Sequence, residues 1–479
     1  MEALRWNELV NHVLEAAEEH QLWVPGDRII VAVSGGPDSV AFLHIMHEIS
    51  TRHVPLELVC AHVHHGFRAE SDEEAEMVGR MAAQLNIPFE WVKADIPSYM
   101  KLTGKGSQEA ARDRRYAFLH EVADKYGAAS IALAHHADDQ AETVMLHLLR
   151  GSGLTGLSGM KFKRREKNVE LIRPCLRINK TDLVEACNTQ GFLYFNDASN
   201  SQRKYRRNAI RLDVLPYLGQ YNGQLTPSLN RLAEIVGDED DFMEQGAYDA
   251  YRCLVQVNGG RQTFEVPSFL KLHVALQRRL IKLILNYLPL DSDFVDFTRI
   301  ETIRRKVIEP YAKTWSLDIG QTLACTREYD LVSFGLRTDV QDQSFEYRLV
   351  QWNGTYELSL REIDRYLRIV PMSPEDYLVP ETADQAAFDA DQLLMPLVVR
   401  SRLPGDTMKV MGLNGSKKVK NIFIDDKIPP SVRPRIPVVC DGAGNIVWLP
   451  GVRRSNIAPV KEDTSAILYM TVGNSAIQG

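Results

Sequence analysis

With 479 residues, the chain has room for about two to four domains of ordinary size. At 44% apolar and 25% charged it is composed like a folded soluble protein, and it holds no run of 18 apolar residues to span a membrane. A net charge of −7 gives no global sign of nucleic acid, and six scattered cysteines without a C-x-x-C pair argue against a zinc ribbon or a disulfide scaffold. The acidic, amphipathic start (Met1-Glu2-Ala3-Leu4-Arg5) is unlike a signal peptide, so a reducing, cytoplasmic location is expected.

Residues 3–20 read as a helix with a Leu4, Val10, Val13, Leu14, Ala17 stripe. The β-branched run Ile29 to Val33 reads as a buried strand. Ser34-Gly35-Gly36-Pro37-Asp38-Ser39 breaks it, and helical spacing follows from Val40. Such a strand, Gly-rich turn and helix aim backbone N–H groups at one spot, a natural anion site. Asp38 would repel phosphate there unless a cation intervenes, which hints at Mg²⁺. Leu56 to Val63 is a second strand ending in His62, His64, His65 and Arg68, and Ser71 opens an acidic helix. Pro88–Val92 is a short third strand and Ser107 starts a helix bearing Arg112 and Arg115. Ser130–Ala134 is a fourth strand, followed by His135-His136-Ala137-Asp138-Asp139 and a helix to about Leu149. Gly151 to Gly159 reads as a mobile small-residue loop, Leu171–Pro174 as an edge strand and Lys180–Gln190 as a helix.

Strands alternating with helices imply a parallel, Rossmann-like sheet in residues 1–216. Ligands in such sheets bind beyond the carboxyl ends of the strands. Ser34–Ser39, His62–Arg68 and His135–Asp139 all follow strand ends, so topology alone gathers them at one crevice. Residues 217–330 are expected to form a mainly helical middle domain, 331–385 a β-rich connection, and 386–479 an α+β domain, with strands at Leu397–Arg400, Val438–Cys440, Ile446–Leu449 and Ile467–Val472.

Charge is segregated. Lys161 to Arg211 holds 13 basic against 5 acidic residues, and Arg400 to Arg435 holds 9 against 3. Two anion-binding patches on an otherwise acidic body would look like this, as would two solvated faces.

The loop lacks the Lys of G-x-x-x-x-G-K-[ST]. As S-G-G-x-D-S after a strand, it resembles the pyrophosphate-binding loop of the N-type ATP pyrophosphatases (PP-loop, adenine nucleotide alpha hydrolase-like), which split ATP into AMP and pyrophosphate. Together with His62–Arg68, Glu109 to Tyr116, His135–Asp139, Asp197-Ala198-Ser199-Asn200, Tyr205 and Arg207 to Arg211, it resembles the tRNA(Ile)-lysidine synthetases. The likeness is dense over residues 28–216 and resumes near Arg400–Asp406 and Lys427 to Gly451. It implies ATP-dependent adenylation of the wobble cytidine in a tRNA(Ile) with a CAU anticodon. Free L-lysine then displaces AMP, giving lysidine and converting a methionine-type tRNA to isoleucine specificity.

On that reading Ser34, Gly35, Gly36, Pro37, Asp38 and Ser39 hold ATP, with His65 and Arg68 as further nucleotide contacts. Arg112 and Arg115, three apart on one helix face, can hold phosphate by forked contacts. A fixed donor of this kind is worth ~3 kcal/mol to a transition state; a pair bound to Glu109 or Asp113 is the plainer reading. Lysine, with an ordinary pKa of ~10.4, must lose a proton before it attacks. Asp138 or Asp139 could hold the cation and His135 could take the proton. Asp38 and Asp139 also suit Mg²⁺. The plainer role for Asp138 is to cap the helix that follows it, and for His62 to be a hydrogen-bonded core histidine. Arg203, Tyr205, Arg206, Arg207, Asn208 and Arg211 suit RNA phosphates and one stacked base. Arg402, Lys417, Lys418, Lys420, Arg433 and Arg435 form a second tRNA patch, expected to discriminate between CAU-bearing tRNAs.

The alternatives are another PP-loop tRNA-modifying enzyme, a metal-dependent phosphoesterase built on His135 and Asp139, and a non-catalytic RNA-binding protein. Sulfur-inserting relatives need reactive cysteines, and none abuts the loop. The sequence does not decide between a monomer and a homodimer.

Overall fold

A computed structural model describes residues 5–64, 71–195, 206–290, 295–311, 313–337, 344–350, 354–410 and 415–474. It divides into two compact units, Met1–Met243 and Glu244–Gly479.

The first unit is built on strands β1 (Arg28–Ala32), β2 (Glu57–His64), β3 (Phe89–Lys93), β4 (Ser130–Ala132), β5 (Lys163–Glu166) and β6 (Val169–Ile172). They run in the order β3-β2-β1-β4-β6-β5, and all pairings are parallel except β5 on β6. The expected edge strand at Leu171–Pro174 is therefore interior. The edge belongs to β5, a charged Lys-Arg-Arg-Glu segment whose lack of apolar alternation hid it from sequence reading. The helices are α1 (Trp6–Glu19), α2 (Pro37–Arg52), α3 (Ser71–Gln84), α4 (Ile96–Thr103), α5 (Ser107–Tyr126), α6 (Ala137–Leu149), α7 (Leu154–Leu157) and α8 (Lys180–Gln190).

Strand residues alternate between two cores, as a pleat demands. Ile29, Val31, Leu58, Cys60, Ala132 and Ile172 pack with α1, α2, α3 and α8. Ile30, Val59, Ala61, Ile131 and Leu171 pack under Leu119, Val122 and Ala123 of α5. Both faces are covered, which is why these strands read as continuous apolar runs. The chain goes outward from β1 through β2 to β3, then returns to lay β4 on the other side of β1. That reversal opens a crevice above the carboxyl ends of β1 and β4.

The Gly151–Gly159 loop, expected to be mobile, is tied to α6. Gln140 donates to the carbonyls of Ser158 and Met160, and its Oε1 accepts from the Met160 N–H at 2.7 Å. Gly159 has φ +65°, and a Cβ there would sit 2.6 Å from Gln140 Oε1, so only glycine fits. A further helical run begins with α9 (Arg206–Ala209), widens into a π-turn over Ile210–Val214, and continues as α10 (Leu215–Gly219) and α11 (Leu225–Leu254).

In the second unit the middle stretch is less helical than expected. Helices Val274–Asn286 and Phe297–Ile308 pack on a five-stranded antiparallel sheet that includes the hairpin Gln256–Asn258 and Arg261–Glu265. Gly259 and Gly260, both at positive φ, make its turn. Farther on, strands Leu397–Arg400, Val438–Cys440 and Ile446–Leu449 fall in one antiparallel sheet. The last strand, Ile467–Asn474, lies between Arg365–Met372 and Gln385–Asp389 in another. Trp448, Phe388 and Leu468 share the core beneath them.

Candidate active site

The turn after β1 is shaped by its own side chains. Ser39 Oγ accepts from the Ser34 N–H at 3.1 Å and donates to the Gly36 carbonyl at 3.0 Å. Gly35 holds φ +89°, and Gly36 caps α2 with Pro37 in its first turn. The first-turn N–H groups of α2 have no intrahelical partners, so the loop ends on a donor-rich helix terminus. Above it lies a cleft of about 710 Å³ of open space. Its floor is apolar (Ala32, Ala61, Val63, Leu119, Leu133), and Ser34, Asp38, Ser39, Arg115 and His135 line it with polar groups. A flat apolar floor beside a donor-rich loop suits a nucleotide, with base below and phosphates at the turn.

His136, quoted in the sequence cluster but given no role, is the centre of the acidic side. It is 2% exposed, with Nε2 3.3 Å from Asp139 and 3.6 Å from Asp38, and Nδ1 3.6 Å from Asp138. Burial disfavours its charge, but the three carboxylates outweigh burial and raise its pKa to about 9. The Asp139 N–H also points at Nδ1 from 3.4 Å, which would need a neutral ring. Three carboxylates outweigh one long hydrogen bond, so the imidazolium is the form at neutral pH. The Asp138 carboxylate accepts from the Lys180 N–H at 2.9 Å, at the start of α8, rather than capping α6.

His135, expected to take the lysine proton, lines the cleft. Burial, with Arg173 and Arg115 nearby, outweighs the attraction of Asp139 and lowers its pKa to about 3, so in the free protein the ring is neutral. His62 is the expected core histidine, its Nδ1 2.8 Å from the Val33 carbonyl.

Asp38 has one carboxylate oxygen, Oδ1, buried without a hydrogen-bond partner, while Lys180 Nζ lies 3.9 Å from Oδ2. An unsatisfied buried carboxylate oxygen at a phosphate loop suits a hard divalent cation. Among the described residues no cluster of three His, Cys, Asp or Glu closes a metal cage. Phosphate oxygens and water would have to complete the coordination.

Arg207 and Arg211, expected to face RNA, turn inward. Arg207 donates to Glu142 at 2.8 Å and to Asp139 at 2.9 Å; Arg211 pairs with Glu142 and lies 3.3 Å from Asp139. Glu142 is 1% exposed and was missed, although it lies one helical turn after Asp139 on α6. Burial disfavours the Arg211 charge, but Glu142 and Asp139 overcome it and hold its pKa above the ordinary range. For Asp139, burial likewise opposes charge, and His136 and Arg207 overcome it, keeping the carboxylate ionised.

Residues 7–218 match the PP-loop domain family, and residues 397–469 match the TilS substrate C-terminal domain. The chain is 34% identical over 477 residues to the tRNA(Ile)-lysidine synthase of Bacillus cereus (strain ATCC 10987 / NRS 248), covering 97% of this chain and 96% of that one. The chain belongs to the tRNA(Ile)-lysidine synthase family. The synthase of Bacillus subtilis (strain 168) is 33% identical over 462 residues, covering 92% and 93% of the two chains. The bifunctional protein TilS/HprT of Listeria monocytogenes serotype 4b (strain F2365) is 35% identical over 441 residues, 91% of this chain and 66% of that one.

Other residues expected from the synthase resemblance are distributed as follows. Arg112 is exposed over the Tyr116 ring, whereas Arg115 is half-buried at the cleft. Glu109 and Asp113 are taken by Lys105, not by these arginines. Arg206 is exposed and Asn208 half-buried. His65, Arg68, Arg203, Tyr205 and Asp197–Asn200 lie outside the described residues. In the second patch Arg402, Lys418, Lys420 and Arg435 are exposed, but Lys417 pairs with Asp425. Arg433 is partly buried and donates to the Ile428 carbonyl at 2.9 Å and the Tyr329 hydroxyl at 3.1 Å, contacts that brace its own unit. Five of the six cysteines are buried, and burial pushes Cys60 up to about 12 and Cys187 up to about 11, which disfavours sulfur transfer through them. No helix among the described residues is long and apolar enough to cross a membrane.

Proposed function

We propose that this chain uses ATP to adenylate the wobble cytidine of a CAU-anticodon tRNA(Ile) and then joins free L-lysine to it, releasing AMP and pyrophosphate. In the first step a bond from the cytidine to the α-phosphorus forms as the bond to pyrophosphate breaks. In the second a C–N bond forms as AMP leaves, and the lysine ammonium gives up a proton. The carrying observation is the adjacency of two opposite environments. The donor-rich turn and Arg115 face the cleft, and the carboxylates of Asp38, Asp139 and Glu142 stand beside it.

Each environment supports one half of the reaction. Loop N–H groups, Ser34, Ser39 and Arg115 suit charge that grows on phosphate in the transition state. Mg²⁺, held by Asp38 with help from Asp139, would supply charge neutralisation between the phosphates. Asp139 and Glu142 form an anionic niche now filled by Arg207 and Arg211, and a lysine ammonium is the cation chemistry that could share it. The exposed Arg402, Lys418, Lys420 and Arg435 suit a more distant part of the tRNA.

The test is labelled lysine uptake into a CAU-anticodon tRNA(Ile) transcript with ATP and Mg²⁺, with Asp139→Ala as control. Lysine-dependent labelling with AMP and pyrophosphate as products supports the proposal. Pyrophosphate release without lysine uptake would leave the nucleotide site standing and reject lysine as second substrate.

A further inference from the structure

Lys180 is out of place by the ordinary rules of helix electrostatics. It takes the first position of α8, where the helix dipole disfavours a cation, while Asp182 in the same turn is the acid that the dipole prefers. Its backbone is fixed. The N–H donates to Asp138 at 2.9 Å, and α8 is tied to the first turn of α2 by Cys187 Sγ, which donates to the Pro37 carbonyl at 3.4 Å. Its ammonium is not fixed. Nζ stands 3.9 Å from Asp38 Oδ2, beyond hydrogen-bond reach, and the side chain is 37% exposed. Lys105, Lys125 and Lys161 of the same unit close on their carboxylates at 2.6–2.7 Å. Lys180 therefore has a pinned base and a loose head, beside an acid that lines the cleft.

The first turns of α2 and α8 meet at this corner, so the ammonium adds charge where backbone N–H groups already make the potential positive. The 3.9 Å contact with Asp38 is too long to offset that fully. An anion would, because phosphate oxygens accept from an ammonium and from helix N–H groups together. The turn carries no lysine of its own, since G-x-x-x-x-G-K-[ST] fails in this sequence. A four-carbon stem with three rotatable donors lets the head move while the backbone stays. The sheet sets the direction of approach: α8 packs with α2 on one face, and α5, which carries Arg115, packs on the other. Lys180 reaches the turn from the face opposite Arg115.

We propose that Lys180 is the phosphate-binding lysine of this site, standing beside Asp38 in the free protein and passing to the pyrophosphate end of ATP on binding. The inference rests on the reading of the cleft as an ATP site. The apolar floor takes the base, so the phosphates seated at the first turn of α2 are those farthest from the adenosine. AMP lacks them and leaves Lys180 at Asp38. A distant segment of the chain thus supplies, by folding, the cation that other phosphate loops carry within the loop.

The intact protein is titrated calorimetrically with ATP and with AMP, both with Mg²⁺ present, as wild type, Lys180→Met and Lys180→Arg. Lys180→Met is expected to weaken ATP by about 10-fold or more and AMP by less than about twofold, the scale of one hydrogen bond to a charged group. Lys180→Arg, which keeps the charge, should bind ATP within about threefold of wild type. Mg²⁺-bound ATP and AMP carry similar net charge, so loss of a background charge alone would weaken both alike. Should Lys180→Met fail to fold by circular dichroism, Lys180→Gln takes its place. Equal weakening of ATP and AMP, or no weakening of ATP, in the folded variant would overturn the assignment. A wild type that binds neither nucleotide fails earlier: it removes the reading of the cleft, and the role of Lys180 with it.

Discussion

Arg207 and Glu142 stand 2.8 Å apart, with the Glu142 side chain 1% exposed and Arg211 bound to the same carboxylate. Removing the charge at Glu142 leaves two guanidiniums crowded around Asp139 alone. Glu142→Gln is expected to cost about 2 kcal/mol, below the 3–5 typical of fully buried pairs because both arginines are partly solvated. Calorimetry should show a lower melting temperature. Lysine transfer should fall further than pyrophosphate release, and an unaltered melt with unaltered transfer would remove Glu142 from the anionic niche proposed for the lysine ammonium.

Asp38→Asn keeps the shape of the loop and removes the charge whose Oδ1 lacks a partner. Pyrophosphate release at saturating ATP is expected to drop by about 100-fold or more, the usual scale for a lost electrostatic group. Adenosine binding should be retained, since the apolar floor is untouched. Restoration of the rate by higher Mg²⁺ concentration would indicate weakened cation affinity.

Gly35→Ala separates strain from collision. A Cβ at this position would meet Val78, Met77 and Glu74 only at 3.7–3.9 Å, ordinary contact distances. The φ of +89° is the obstacle, expected to cost about 1–2 kcal/mol. A raised KM for ATP with a modest loss in melting temperature is the anticipated result. A substitution without effect on KM would show that the turn relaxes freely.

The pH dependence of stability should carry the mark of His44. Its ring stacks on Phe192 at 3.6 Å, and burial lowers its pKa from 6.5 to about 4. The unfolded chain therefore binds the proton more readily than the folded one. Stability from this group is present above about pH 6.5 and is lost as pH falls toward 4, by about 2 kcal/mol once partial solvation is allowed for. Urea melts between pH 7 and 4 should be flatter for His44→Phe, which keeps the stack without the titrating nitrogen.

The second basic patch predicts two kinds of arginine and lysine effect. Lys418→Ala with Lys420→Ala should weaken tRNA binding and reduce the salt slope by about 1–2, because both side chains are exposed. Arg433→Ala should instead lower the melting temperature of the second unit, since it braces Tyr329. Filter binding over a salt series distinguishes them.

Much of the site was legible because topology and chemistry repeat each other. Ser34–Ser39 and His135–Asp139 follow β1 and β4, and the sheet reverses between those two strands. Direction of side chains was not legible. Arg207 and Arg211 look like an RNA patch by composition, yet the helix that carries them faces α6, where Glu142 waits. A sequence count cannot tell an arginine that meets solvent from one that meets a buried carboxylate. The π-turn at Ile210–Val214 leaves no signature in propensity, and the Asn258-Gly259-Gly260 hairpin turn sat unnoticed within a stretch dominated by helical spacing. His136 was hidden in plain view, because its importance comes from three acids that converge only after folding.

The antiparallel strand β5 has a consequence for assembly. Its sequence, Lys163-Arg164-Arg165-Glu166, places three cations along one border of the sheet, with Lys163 paired to Glu170 and Arg164 to Glu166. A strand added there would have to strip water from these charges and break into their ion pairs, which opposes pairing. The β5 border thus acts as a terminator for the sheet on that side, while the β3 border on the other side owes nothing to this protection.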